Sequence, residues 1–223
     1  MTQAYERKPM THVLLTGFEP FDGAGVNPSW QAVQRVATTP PDGSSLTTAM
    51  LPVVFHDAIA RLRAAVEESG ADVVICVGQA GGRPGISVER IAINLDDARI
   101  PDNKGTQPVD EPVVADGPAA YFSTLPVKAC VAAVREAGLP ASVSHTAGTF
   151  VCNHVFYGLM HLIASGRPGV RGGFVHVPYL PEQVPDGDKP SMPVGSIAQA
   201  LTAIVSAAAT TTSDLKETGG SLH

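Results

Sequence analysis

Apolar residues recur along this chain in two periods, and the periods alternate. HVLLTG (12–17) is a short apolar run that stops at Gly17 and predicts a first strand. The polar loop FEPFDGAGVNPS follows. Asn27-Pro28 then reads as an N-cap with proline at the first helical position, opening a helix to about Ala37. SLTTAMLPVVF (45–55) is β-branched and apolar, a second strand, and AIARLRAAVEESG (58–70) has helical spacing with Gly70 as its C-cap. DVVICVG (72–78) is continuously apolar, which suits a strand buried on both faces.

ISVERIAIN (86–94) alternates as one further strand. The polar, turn-rich segment 96–117 reads as a long excursion, a kind of loop that is often functional. Beyond it come a helix over 127–139, a short strand ASVSH (141–145), a helix CNHVFYGLMHLIASG (152–166), a strand GGFVHVPYL (172–180) and a last helix over 194–209. The polar tail TTTSDLKETGGSLH predicts a frayed end. Strands alternating with helices point to an α/β fold with a mostly parallel sheet flanked by helices. In such a fold ligands sit beyond the carboxyl ends of strands, so the loops after Gly17, Gly78, His145 and His176 are where a site is expected.

Composition changes this picture little. The 223 residues suit one domain, with 1–11 and about 212–223 as flexible ends. The net charge of -6 argues against nucleic acid, which needs a basic footprint. MTQAYERKPMTH has charge and no apolar stretch, so no signal peptide is expected, and no run is long enough for a membrane span. Three cysteines in such a chain predict free thiols in a reducing cytoplasm.

Those thiols differ in setting. Cys76 sits inside a buried strand and Cys130 inside a helix, where packing roles are expected. Cys152 follows the turn-forming HTAGTF and begins a helix. Unpaired backbone N–H groups and the macrodipole there favour a reactive thiolate, against the plainer reading of a small apolar residue under the turn. A nucleophilic thiol wants a base. His176, within the apolar strand GGFVHVPY, needs a hydrogen-bond partner, and either a thiol or the backbone would serve. Glu89 falls on the same strand face as Ile91 and Ile93, where a carboxylate requires a partner. A histidine would make it the orienter of a triad. An arginine would make it an ion pair, with Arg83 or Arg99 placed to supply it and Arg90 on the opposite face.

Weaker signals surround these. GQAGGRPG (78–85) matches no phosphate-binding fingerprint and reads as tight turns. His154 and His161 share a helix face, but with no carboxylate nearby in sequence they do not suggest a metal. Phe18 and Phe21 are either loop anchors or the walls of an apolar pocket.

Four stretches, LLTGFEPFDGAGVNPSW, GQAGGRPGISVERIAINLDDARIPDNKG, HTAGTFVCNHVFYGLMH and GGFVHVPYLPEQ, together resemble the pyroglutamyl peptidase I family, over roughly residues 12–183. The resemblance implies a three-layer α/β/α sandwich, often assembled as a homotetramer. It implies a cysteine peptidase that removes an N-terminal pyroglutamyl residue from peptides, with no metal or cofactor. Cys152 is then the nucleophile, His176 the general base and Glu89 its orienter, while Phe18 and Phe21 line the ring pocket. Gln79 and Arg99, both within the matching stretches, join them as candidate substrate-binding residues. Backbone N–H groups at the start of the Cys152 helix, with Arg90 or Arg99, are candidates for holding the oxyanion. The segment departs at His145, where the family often has asparagine. Two readings of other classes remain: a nucleoside phosphorylase-like enzyme with phosphate in the 78–85 loop, and a binding protein that has lost turnover.

Overall fold

A computed structural model of the chain describes residues 10–220. Eight strands and five α-helices run in the order β1 (Thr11–Phe18), α1 (Pro28–Ala37), β2 (Ser44–Leu51), α2 (Asp57–Ser69), β3 (Val73–Gln79), β4 (Ile86–Glu89), β5 (Ile91–Ile93), β6 (Ala120–Phe122), α3 (Val127–Glu136), β7 (Ala141–Ser144), α4 (Val151–Gly166), β8 (Arg171–Val177) and α5 (Val194–Thr210). The helix ends follow the local chemistry. Asn27 caps α1, its side-chain oxygen accepting the N–H of Ser29 at 3.1 Å. Gly70 closes α2 in the left-handed conformation at φ 60°.

Six strands form one sheet in the order β2-β1-β3-β8-β4-β7. The pairs β2–β1, β1–β3, β3–β8 and β4–β7 are parallel, and β4–β8 alone is antiparallel. Helices cover both faces. Residues such as Val13, Ile75, Val175, Val131 and Leu201 build one core, under α1, α3 and α5. Leu14, Cys76, Phe174, Leu62 and Phe156 build the other, under α2 and α4. This is the three-layer α/β/α sandwich with a mostly parallel sheet. It places Cys76 and Cys130 in the cores, as their settings predict. No helix among the described residues is long and apolar enough to cross a membrane.

Two local expectations are corrected, and two further contacts are added. The run 86–94 is two strands, not one: the chain leaves the main sheet at Arg90, and β5 pairs with the unforeseen β6 in a separate two-stranded sheet. The second strand stops at Leu51, before Pro52, which cannot donate to a ladder. The carboxylate missing from the sequence neighbourhood of His154 arrives through space, with His154 Nδ1 2.7 Å from Asp96 Oδ2. Within the polar tail, Asp214 accepts the backbone N–H groups of Lys128 and Ala129, each at 3.0 Å, at the start of α3. Residues 1–9 and 221–223, part of the expected flexible ends, lie outside the described residues.

Candidate active site

One end of the sheet opens into a cavity of about 300 Å³. Four connecting segments and the end of β8 line it, the stretch after β2 adding Val53. The loop after β1 supplies Phe18, Phe21 and Asn27, the loop after β3 supplies Gln79 to Arg83, and the turn into α4 supplies Ala147 to Cys152. These are the loops singled out by strand polarity, and His176 reaches the cavity from β8 itself.

Cys152 stands in the first turn of α4. The helix has no side-chain cap, and its first internal bond runs from the N–H of His154 to the carbonyl of Phe150, at 3.1 Å. The preceding N–H groups are therefore available at the cavity. Gly148, at φ 80°, supplies the left-handed turn that carries the chain into the helix. Asn153 fixes the helix from the other side: its amide accepts the N–H of Ile93 at 3.0 Å and donates to the carbonyls of Ile93 and Leu95. Behind the sulfur lies Gly78, whose missing side chain makes the room: a Cβ there would stand 2.8 Å from Cys152 Sγ.

The expectation of a lowered thiol pKa is not met. Burial pushes Cys152 up to about 12, the charge of Glu89 adds to the rise, and Arg83 opposes it. Desolvation by the surrounding walls is the largest cause of the rise. His176 moves the other way. Burial and Arg83 disfavour its imidazolium, and although Glu89 favours it, the result is a pKa below the ordinary value. Both shifts favour the uncharged forms of the two groups that share the cavity.

Glu89 meets both partners that its sequence position allowed. Its Oε1 lies 2.7 Å from His176 Nδ1 and 2.6 Å from Arg83 Nη1, and the carboxylate is wholly buried. The geometry comes from the sheet: Ser87 is register partner to His176 across the antiparallel β4–β8 pair, so Glu89, two residues on, is its diagonal neighbour on the same face. Burial raises the Glu89 carboxyl, but His176, with smaller contributions from Ser144 and Arg83, outweighs it and holds it below the usual range. With Nδ1 engaged by the carboxylate, Nε2 is the nitrogen of His176 left for chemistry.

The cavity walls are mainly apolar. Phe18 is buried against Phe174, with ring centroids 6.3 Å apart, and Phe21 faces Phe150 at 6.4 Å. Gln79 lines the cavity, and its carbonyl accepts from Gln183 Nε2 at 2.9 Å, so its own N–H₂ is the part left to donate to a ligand. Arg99 is exposed and Arg90 half-buried, and neither is in the lining. Sequence reasoning passed over Val53 and Phe150 as walls and gave Arg83 only an ion-pair role. Phe150, two residues before Cys152, was within reach of inspection. Val53 was not, because it arrives from the irregular stretch after β2. The 96–117 excursion contributes nothing to the lining among the described residues. It packs instead against the 53–56 stretch and the base of α4, anchored by Asp102 to the N–H of Phe55 at 2.9 Å.

Comparison with known proteins gives the family and the fold. The family described as pyroglutamyl peptidase matches residues 11–211. The pyrrolidone-carboxylate peptidase of Streptomyces coelicolor is 63% identical over 216 residues, covering 96% of this chain and all of the relative. That of Bacillus licheniformis is 53% identical, covering 94% of this chain and 98% of the relative. The crystal structure of pyroglutamyl peptidase I from Bacillus amyloliquefaciens superposes with a TM-score of 0.92 at 48% identity, over 93% of this chain and 99% of that one. A mutant pyrrolidone carboxyl peptidase from Pyrococcus furiosus gives 0.85 at 41%, over 89% and 98%.

Proposed function

The chain belongs to the pyroglutamyl peptidase family, whose members are cysteine peptidases, and we propose that it hydrolyses the bond after an N-terminal pyroglutamyl residue through a Cys152–His176–Glu89 triad and a thioester. The observation that carries this reading is the buried contact of Glu89 Oε1 with His176 Nδ1, 2.7 Å, in a histidine that lines one cavity with Cys152. The contact fixes the tautomer whose Nε2 accepts a proton.

The substrate fits the walls. Pyroglutamate is a small lactam with no charge at its cyclised terminus, so its pocket needs apolar surface and a few hydrogen-bond partners rather than an acidic anchor. Phe18 and Phe21 serve as the flat walls, and the N–H₂ of Gln79 as a donor for the ring carbonyl. Arg99 stays a candidate for the substrate beyond the ring.

The reaction starts from neutral groups. As Cys152 Sγ bonds to the pyroglutamyl carbonyl carbon, its proton passes to His176 Nε2, and Glu89 stabilises the imidazolium. Backbone N–H groups at the start of α4 receive the oxyanion. His176 returns the proton to the departing amine as the C–N bond breaks, leaving a thioester. Water, deprotonated by His176, then attacks the thioester carbon; the C–S bond breaks, His176 returns the proton to Cys152 Sγ, and 5-oxoproline is released. A single catalytic domain, assembled as a homotetramer in a reducing cytoplasm, completes the proposal.

The test is Cys152→Ser. On a fluorogenic pyroglutamyl amide it should lose nearly all turnover while its circular dichroism stays that of the parent. Near-normal turnover would overturn the triad. Chelators should leave the parent active, and thiol alkylation should silence it.

A further inference from the structure

Arg83 belongs to none of the roles above, yet it touches three parts of the site. From the loop after β3 its guanidinium reaches Glu89 Oε1 at 2.6 Å, Ser144 Oγ at 3.3 Å and the carbonyl of Thr146 at 2.9 Å. It also lines the cavity and an adjoining groove. Glu89 ends β4, and Thr146 lies in the turn that leads into α4. One planar cation therefore spans the orienter of the base and the chain that delivers the nucleophile.

We propose that Arg83 is a positioning residue of the reaction: its guanidinium locks the Glu89 carboxylate and the turn before Cys152 into one frame, fixing base and nucleophile relative to each other. The inference rests on the triad reading above.

The geometry separates this from an ordinary surface ion pair. The Arg83 side chain is 28% exposed, but its partner is fully buried, and Glu89 Oε2 has no hydrogen-bond partner. Oε1 alone therefore receives both His176 and Arg83, so a shift of the guanidinium moves the atom that aims the imidazole. A guanidinium suits this place because its fork bonds a carboxylate and a carbonyl at once, which a single ammonium does less well. The charged and titratable groups around the carboxylate are few. His176 comes from β8, Cys152 from α4 and Arg83 from the β3–β4 loop, with His145 on the far side of the adjoining groove. Arg83 is thus the nearest fixed positive charge. Beyond placing Glu89, it weighs against the imidazolium and in favour of the thiolate.

The experiment compares Arg83→Ala and Arg83→Lys with the parent in three measurements: kcat and KM on a pyroglutamyl amide, the pH dependence of kcat/KM, and the pH dependence of Cys152 alkylation by iodoacetamide. For Arg83→Ala, kcat should fall by up to about a hundredfold with KM close to the parent's, as expected for misplacement of reacting groups. Its acid limb and its alkylation curve should both move to higher pH, by about half a pH unit or more. Arg83→Lys should return both curves to the parent's pH while recovering kcat only in part. An unchanged kcat in either folded variant overturns the proposal. So does a fall in kcat for Arg83→Ala with both curves unmoved, which would leave Arg83 a structural ion pair. If Arg83→Ala does not fold, the kcat of Arg83→Lys decides alone. Cys152→Ser is run alongside: activity retained there would sink the triad itself, a result distinct from any outcome at Arg83.

Discussion

Cys152 owes its place as much to an absent side chain as to its own helix. Gly78 sits where a Cβ would press to 2.8 Å on both the sulfur and Phe174 Cζ, so Gly78→Ala must displace one of them. We expect the variant to lose up to about a hundredfold in kcat/KM through a misplaced thiol. It should also lose about 1–3 kcal/mol of stability through overpacking, read from denaturant titration. At this scale the sequence was informative about identity and poor about state. Cys152, His176 and Glu89 were each visible as residues that need an explanation. The high thiol pKa was not, because it depends on how many apolar walls close around the sulfur, and those walls come from four separate segments of the chain.

Single elements show a similar division. Helix starts that carry their own signal, such as Asn27-Pro28, form where the signal stands. α3 has no capping side chain of its own and takes its cap from Asp214, in a tail that composition alone would leave frayed. Asp214→Ala should therefore destabilise the protein by about 0.5–2 kcal/mol, the usual worth of a lost cap, with no change in KM. A lower thermal midpoint at unaltered kinetics is the result to look for. The break in 86–94 was hidden for a related reason. Ile91 and Ile93 continue the alternation of β4, and what turns the chain is not local: Ser144 holds the N–H of Arg90 at 2.8 Å, and Asn153 holds the N–H of Ile93. Alternation reports which residues want burial, and it does not report in which sheet they find it.

For the molecule as a whole, layer order and strand polarity were legible because alternating strands and helices leave few ways to cover a sheet. The reversal of β4 was not, since a short strand reads alike in both directions. Acid sensitivity is a property of this scale as well. Glu89 and Asp102 are held below the usual carboxylate range, Asp102 by backbone N–H groups that outweigh its burial, and His176 is held below the ordinary histidine value. In all three the unfolded chain binds the proton more readily, so each contribution to stability is present at high pH and disappears as pH falls. For His176 the decline begins below about pH 6.5, and for the carboxylates below about pH 4. The thermal midpoint should sag gently over the first range and steeply over the second. A midpoint flat down to about pH 4 would contradict the neutral resting state of His176.

The insertion of β8 between β3 and β4 bears on when the protein becomes an enzyme. Its strand neighbours are complete by residue 89, while β8 begins at residue 171. The contact between His176 and Glu89 closes over 87 residues of chain, so it belongs to the slow, nonlocal part of assembly. During synthesis Cys152 leaves the ribosome before His176 does, so on the proposed triad the thiol waits for its general base until β8 slots in. On that reading, completion of the sheet is the step that would switch the site on, and a chain halted before β8 would be inactive.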